Sequence, residues 1–148
     1  MKLTVLAASG RTGLAVTRQA LERGHTVTAI ARDTGRITLP GSAGLRAVAG
    51  DVTDPASIAA SVLVTLLGDR LADKVEADDI VLAAGGTVFH AAVLSDGPVS
   101  PSRRTVGLAA APSFDLAAKV SRESVAAAML DEAEAPGFPG TVALPLAG

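Results

Sequence analysis

Short apolar runs alternate with polar, glycine-containing breaks at the start of the chain. Leu3–Ala7 is an apolar run of strand length, and the polar turn Ala8–Gly13 follows it. Leu14–Arg23 repeats its apolar residues at helical spacing, and Gly24 suits its end because glycine readily takes positive φ after a helix. Thr26–Ala31 alternates and contains β-branched residues, which is typical of a strand. The pattern predicts one βαβ unit.

The helix of this unit is predicted to be amphipathic. Its spacing places these side chains near one apolar face: Leu14, Ala15, Ala20 and Leu21. It places these mostly on the opposite, polar face: Arg18, Gln19, Glu22 and Arg23.

Strands and helices continue to alternate beyond residue 32. Asp33–Gly44 is rich in Gly, Pro, Thr and Ser and is a predicted loop, whereas Leu45–Ala49 is a predicted third strand. Asp54 and Pro55 suit the N-cap and first position of a helix, so a helix is predicted to begin there. The pattern of Leu71–Ala84 predicts a further helix, ended by two glycines.

The last third of the chain is also predicted to contain both strands and helices. The predicted elements are a strand at Thr87–Leu94, a loop at Ser95–Pro112 with a short strand at Thr105–Ala109, a helix capped by Ser121 that runs to about Glu134, and a strand at Thr141–Leu144.

Ser61–Leu67 fits neither a strand nor a helix well. As a strand it would follow a helix of only about seven residues, whereas a parallel crossover needs about 10–12 residues in total. As a helix it is apolar on nearly every side and would need burial all round. Both interpretations stay open from the sequence.

Composition narrows the class of protein. With 148 residues, 49% of them hydrophobic and 19% charged, the chain is expected to form a single domain over residues 1–148. A net charge of −2 and the absence of Trp and Tyr argue against nucleic-acid binding. Without Cys, and with only two His, no metal site is expected.

Membrane association and secretion are not expected either. No apolar run approaches the roughly 20 residues that a membrane-spanning helix needs. Leu3–Ala8 resembles a secretion signal but is shorter than the usual apolar region of about 7–15 residues. We therefore expect a cytoplasmic protein.

The turn between the first strand and first helix has the chemistry of a phosphate site. A helix N-terminus carries unpaired N–H groups and partial positive charge. Gly10 would let a pyrophosphate approach the backbone, and Gly13 would let the helix pack closely on the strand. Ser9, Arg11 and Thr12 add side-chain donors. A plain glycine-containing turn is the alternative, but its place inside a βαβ unit favours dinucleotide binding.

These residues also carry a family resemblance. Ala7–Gly13 is similar to the Gly-Ala-Ser-Gly-x-Thr-Gly signature of atypical short-chain dehydrogenase/reductases, in particular the NAD(P)H-binding group that includes biliverdin reductase B and NmrA-like proteins. Gly50–Asp54 resembles the group's segment after the third strand, where Asp51 and Val52 would border the adenine. Leu94–Pro98 and Val120–Ala126 resemble its C-terminal strand, loop and helix.

The resemblance implies a fold class. It implies an α/β, Rossmann-like three-layer sandwich with a mostly parallel sheet, here forming one NAD(P)-binding domain. The sheet is expected to be shortened in the middle, because family members have two further strands where this chain has only Ser61–Arg70. A simple deletion would expose apolar surface and favour either a homodimer or instability.

Arg32 indicates the cofactor. An acidic residue at the end of the second strand would accept from the ribose of NAD, whereas an arginine favours the 2′-phosphate of NADP. Arg11 would add a second charge, and Asp33 softens the preference. An exposed surface arginine is the alternative. The sequence therefore predicts NADP(H), with NAD less favoured.

The chain departs from the family at two further points. Ala7 replaces the first glycine of the signature, so its Cβ is expected to crowd the turn. The Tyr-x-x-x-Lys pair of short-chain dehydrogenases is absent, and the matching spacing is Arg70-x-x-x-Lys74. Lys74 and His90 remain the catalytic candidates, although each is also well explained as an ordinary surface or packed residue.

Three functions follow from these observations. The first is a reductase that transfers a hydride from NADPH to a flavin or another small planar acceptor. The second is an NADP(H)-binding sensor without catalysis, as NmrA-like proteins are thought to be, and the third is a truncated scaffold without a working site. Ser95 and Asp96 follow a predicted strand at the edge where open α/β sheets bind ligands, and are candidates for the acceptor pocket.

Overall fold

The computed structural model describes residues 1–39, 43–51, 74–111 and 118–147. The chain divides into two compact units, Met1–Asp73 and Lys74–Gly148, which are described separately. The helix expected from Asp54 and the open question of Ser61–Leu67 lie outside the described residues. The expectation of a single domain therefore stays a prediction.

The first unit contains the predicted βαβ arrangement and a third strand. Its elements are β1 (Lys2–Val5), α1 (Arg11–Glu22), β2 (Thr26–Ala31), a 3₁₀ helix (Thr34–Arg36) and β3 (Leu45–Ala49). β2 lies between β1 and β3, and both pairings are parallel. β2 and β3 have the predicted bounds. The helix begins three residues earlier than predicted, because the turn tightens directly after Gly10.

The core of the first unit forms where α1 packs on β2. Residues with at most 8% exposure include Val27, Ala29 and Ile30 from the strand and Ala15, Val16 and Ala20 from the helix. Thr17 is fully buried, and its hydroxyl donates to the Gly13 carbonyl at 2.8 Å. Gly24 takes a φ of +81° after the helix, as its position predicts.

The second unit also contains both helices and strands. Its elements are α2 (Lys74–Ala83), β4 (Val88–Phe89), β5 (Val93–Ser95), β6 (Arg104–Gly107), a 3₁₀ helix (Leu108–Ala110), β7 (Lys119–Ser121), α3 (Arg122–Glu134) and β8 (Val142–Leu146). β8 pairs in parallel with β4 and antiparallel with β6, while β5 pairs in parallel with β7. Among the described strands, four of the five pairings are therefore parallel, as predicted.

The strand predicted at Thr87–Leu94 is wrong in its extent. The structure divides it into β4 and β5, which join different partners: Val88 pairs with Val142, and Val93 pairs with Lys119. His90 still donates its N–H to the Ala143 carbonyl at 3.0 Å, and the chain then leaves that sheet. Two alanines follow His90, and alanine has little preference for a strand.

An alanine-rich helix provides the core of the second unit. Ser121 is the N-cap of α3, and its side chain accepts the Ser124 N–H at 3.0 Å, so the predicted cap is confirmed. Its residues Ser124–Ala128 and Leu130 are buried, together with Val120 and Ala143 from the strands. Only residues 52–73 separate the described Asp51 from α2, which agrees with a fold shortened in the middle.

Candidate cofactor site

The turn between β1 and α1 is held by backbone hydrogen bonds. The Gly10 N–H donates to the Ala7 carbonyl at 2.9 Å, and the Leu14 N–H donates to the Gly10 carbonyl at 2.8 Å. The Ala8 N–H donates across to the Ile30 carbonyl of β2 at 2.9 Å. Ala7 has a φ of +52°, the only positive φ at a non-glycine position among the described residues. The turn is therefore sharp, as the signature predicts.

Gly13 makes the close approach that the sequence predicts for it. A Cβ at this position would lie 2.5 Å from the Ala7 carbonyl oxygen and 2.9 Å from the Ala8 Cα. Because both neighbours are backbone atoms, neither can move away cheaply. A Cβ at Gly10 would lie 3.2 Å from the Ala7 oxygen, which is tight but tolerable. Gly13 is thus required by the fold, whereas Gly10 is required only if a ligand approaches.

The N-terminus of α1 has the electrostatics of an anion site. Gly10 is the N-cap of α1; no side chain of the described residues caps the helix there, and its first turn contains no acidic residue. The amides that open a helix lack intrahelical acceptors, so these amides are suited to bind an anion. Gly10 and Arg11 are exposed, while Ser9 and Thr12 are half-buried. These residues fit a pyrophosphate, which would accept from the opening amides and the nearby hydroxyl groups.

Two further candidates lie at the same edge of the sheet as the turn. The Gly50 N–H donates to the Ala31 carbonyl at 3.0 Å, so β2 and β3 end together. Arg32 follows β2 and is exposed, and Asp51 follows β3 and is half-buried. Since parallel strands share their carboxyl edge, the turn, Arg32 and Asp51 lie on one side of the sheet. Val52, the predicted neighbour of the adenine, lies outside the described residues.

The acidic residue after Arg32 has a local structural role. The Asp33 carboxylate accepts the Gly35 N–H at 2.9 Å and caps the 3₁₀ helix Thr34–Arg36. The last residue of that helix is Arg36, a second exposed arginine in the segment that follows β2. Arg36 is not among the site residues predicted from the sequence. The signal was an aspartate two residues before a glycine, which is typical of a tight turn.

The other candidates lie in the second unit. Lys74 is the first residue of α2. His90 Nε2 lies 2.8 Å from Asp78 Oδ2, and both side chains are partly exposed. Asp96, offered above as a pocket residue, forms an ion pair with Arg122 Nη1 at 2.8 Å, and Ser95 pairs with the strand that leads into α3. The structure thus gives His90 a carboxylate partner and ties the Ser95–Asp96 segment to the start of α3.

Metal-binding clusters and membrane spans are not found in the described parts of the chain. No group of three or more His, Cys, Asp or Glu side chains is close enough there to hold a metal ion. None of the helices in those parts is long and apolar enough to cross a membrane.

A family model and several solved structures are similar to this chain. A family model described as NAD(P)H-binding matches residues 7–87. A Rossmann-fold NAD(P)-binding family protein from Shigella flexneri superposes with a TM-score of 0.70 at 17% identity, over 97% of this chain and 92% of that one. A candidate NADH-flavin reductase from Streptococcus pneumoniae gives a TM-score of 0.69 at 17% identity, over 99% of both chains.

A third solved structure contains a dinucleotide. A short-chain dehydrogenase/reductase from Veillonella parvula, solved in complex with NADP, gives a TM-score of 0.73 at 14% identity, over 98% of this chain and 94% of that one. The fold and the glycine turn define a protein of the Rossmann class. The family model covers more than half of this chain, so the chain belongs to the NAD(P)H-binding family.

Proposed function

We propose that this protein is an NADP(H)-binding reductase of the atypical short-chain dehydrogenase/reductase type. It would transfer a hydride from NADPH to a flavin or another small planar acceptor. The observation that supports this most is the uncapped N-terminus of α1, with glycine at positions 10 and 13 and Arg32 at the same edge of the sheet. We also propose that it acts in the cytoplasm, as a homodimer, without nucleic-acid or membrane partners.

The preference for NADP(H) rests on charge. Arg32 and Arg36 are both exposed in the segment after β2, and Asp33 is engaged with the Gly35 N–H. Guanidinium groups bind phosphate through several parallel hydrogen bonds, whereas the ribose hydroxyl of NAD needs an acceptor. The NADP complex of the Veillonella parvula protein is in keeping with this preference.

The flavin acceptor is proposed from the chemistry that the family can perform. The reduced nicotinamide supplies the hydride, so the protein has mainly to bind and orient its two ligands. This chain has no tyrosine and therefore lacks the usual proton donor of short-chain dehydrogenases. An acceptor that takes a hydride directly suits such a site. The Streptococcus pneumoniae neighbour, a candidate NADH-flavin reductase, agrees with this choice.

A sensor without catalysis is the second candidate. The absence of tyrosine favours it. The contact between His90 and Asp78 also favours it, because a structural hydrogen bond explains this contact without any catalytic role. In that case the cofactor binds but is not consumed. A scaffold without a working site is the remaining outcome.

One experiment separates the three. The protein is titrated with NADPH and with NADH by calorimetry, and NADPH oxidation is then followed at 340 nm with flavin mononucleotide as acceptor. Tighter binding of NADPH with turnover supports the reductase. Binding without turnover supports the sensor, and no binding of either dinucleotide rejects both.

A further inference from the structure

The second unit contains a cleft that the dinucleotide site does not use. It measures about 400 Å³ and lies between the start of β6, the last turns of α3 and the segment that follows α3. Its walls include Arg103, Arg104, Ala128, Asp131, Glu132 and Phe138. This volume is within the range of small-molecule sites, which begin at about 300 Å³.

Arg103, which lines this cleft, has a side-chain donor without an acceptor. Its Nη2 donates to Asp131 Oδ2 at 2.7 Å, but its Nε is buried and has no hydrogen-bond partner among the described residues. The side chain as a whole remains 30% exposed. A buried N–H that gives up water without gaining an acceptor is costly. A ligand oxygen that drew the guanidinium towards it would remove that cost.

The charges of the cleft leave it open to an anion. Asp131 is paired with Arg103, and the Glu132 carboxylate accepts from Thr87 Oγ1 at 2.8 Å and from the Gly137 and Phe138 N–H groups at 2.8 and 2.9 Å. Arg104 is exposed and forms no ion pair with a described residue. Both acidic groups thus have hydrogen-bond partners, and although the two arginines and two carboxylates balance in formal charge, Arg104 has a guanidinium that no described carboxylate pairs.

The rest of the wall is apolar. The half-buried ring of Phe138 lines the cleft together with the small side chains of Ala128 and Ala135. We propose that the cleft binds a small organic anion: a carboxylate on a flat apolar body. The carboxylate is held by the guanidinium groups of Arg103 and Arg104, and the body lies against Phe138. This site does not depend on the proposed reductase function.

Nuclear magnetic resonance tests the proposal with benzoate as the probe. Benzoate is titrated into the ¹⁵N-labelled protein while the Arg103 Nε–H signal and the amides of Thr105, Ala128 and Phe138 are followed. We expect saturable shifts at these groups, a downfield shift of the Arg103 Nε–H, and contacts between benzoate and the Phe138 ring. Benzamide, which has the same shape without the charge, should bind at least tenfold more weakly.

Two arginine variants complete the test. Arg104→Gln should weaken benzoate binding at least tenfold, whereas Arg46→Gln, an exposed arginine on β3, should leave it unchanged. The amide spectrum of each variant shows whether it is folded. If Arg104→Gln is not folded, Arg103→Lys is tested in its place and should likewise weaken benzoate binding. Equal binding of benzoate and benzamide, undiminished binding by Arg104→Gln, or shifts spread over the whole surface would each overturn the proposal.

Discussion

Ala7 adopts a backbone conformation that favours glycine. Its φ of +52° brings the Cβ close to its own carbonyl, which costs about 1–2 kcal/mol in an L-residue. Ala7→Gly should therefore raise the free energy of unfolding by about 1 kcal/mol, since the entropy of glycine in the unfolded chain offsets part of the gain. Thermal unfolding would show this as a rise of roughly 2–4 °C in Tm.

The neighbouring residue provides the control for this substitution. Ala8 is fully buried and has no positive φ, so Ala8→Gly should lower Tm. A fall in Tm for Ala7→Gly as well would show that the Ala7 methyl group contributes more through packing than it costs through strain.

Arg32 decides the preference between the two dinucleotides. Arg32→Glu replaces a donor for the 2′-phosphate with an acceptor for the ribose hydroxyl. We expect NADPH affinity to fall by about tenfold or more, as the loss of a charged hydrogen bond implies, and the preference to move towards NADH. Calorimetric titration of both cofactors measures the ratio. Arg46→Glu is the matched control, and an unchanged ratio for Arg32→Glu would remove Arg32 from the site.

Gly10 is the position at which cofactor binding and folding can be separated. Its φ of −76° and ψ of 159° are open to any residue, and a Cβ would lie 3.2 Å from the Ala7 carbonyl oxygen, so Gly10→Val should fold with a small shift of that carbonyl. The added methyl groups should block the approach of the pyrophosphate and abolish NADPH binding. Ala47→Val, an exposed position on β3, should bind normally. Full NADPH affinity in Gly10→Val would place the cofactor elsewhere.

At the scale of elements, Glu132 fixes the segment that follows α3. Burial alone would raise the pKa of its carboxyl, but hydrogen bonds from Gly137, Phe138 and Thr87 outweigh burial and hold the pKa below its ordinary value. The depressed pKa means that this contact stabilises the fold fully above the pKa of the unfolded chain, about 4.3. The stabilisation is lost as the pH falls through the lower pKa of the folded state.

Glu132→Gln should therefore change both stability and its pH dependence. At pH 7 we expect a loss of about 1–3 kcal/mol, because the donors lose a charged acceptor. Between pH 5 and pH 3 the variant should lose less stability than the wild type, which urea unfolding at each pH measures. Glu134→Gln changes an exposed carboxyl of the same helix and is the control. Parallel pH profiles for wild type and Glu132→Gln would contradict the assignment.

Local signals predicted the elements wherever they were strong. The β-branched alternation of Thr26–Ala31 and the cap at Ser121 gave the right element, because each depends on residues close in sequence. The division of the strand after Thr87 depends on Val142 and Lys119, which no local pattern reveals. Gln19 was placed on the polar face of α1 yet is buried, since tertiary packing overrides helical spacing.

At the scale of the whole molecule, the sequence predicted the family and the place of the glycine turn. It did so because a signature of seven residues in a βαβ unit is specific. It could not predict the Asp78 partner of His90, since that contact follows from three-dimensional placement. The Asp33 cap, by contrast, is a local contact with Gly35 for which the sequence carries a signal. Binding by the residues of the site stays a prediction until a cofactor titration is made.

The prediction at the scale of the whole molecule concerns its oligomeric state, which we propose to be a homodimer. A shortened sheet is expected to expose apolar surface, and we propose that the exposed hydrophobic residues Val93 and Leu94 of β5 are part of the dimer contact. Sedimentation equilibrium over a series of micromolar protein concentrations should give a molecular mass of twice the chain mass of 14.7 kDa. A mass of one chain throughout that range would reject the homodimer.

The contact at Gly13 has a consequence for descendants of this protein. Any side chain there collides with main-chain atoms 2.5 and 2.9 Å away, so selection for folding alone would retain the glycine. A lineage that stopped using nucleotides would keep it for that reason, while position 10 became free to drift. In comparisons among distant homologues, a glycine at position 13 would report ancestry, and only a glycine at position 10 would report a surviving ligand.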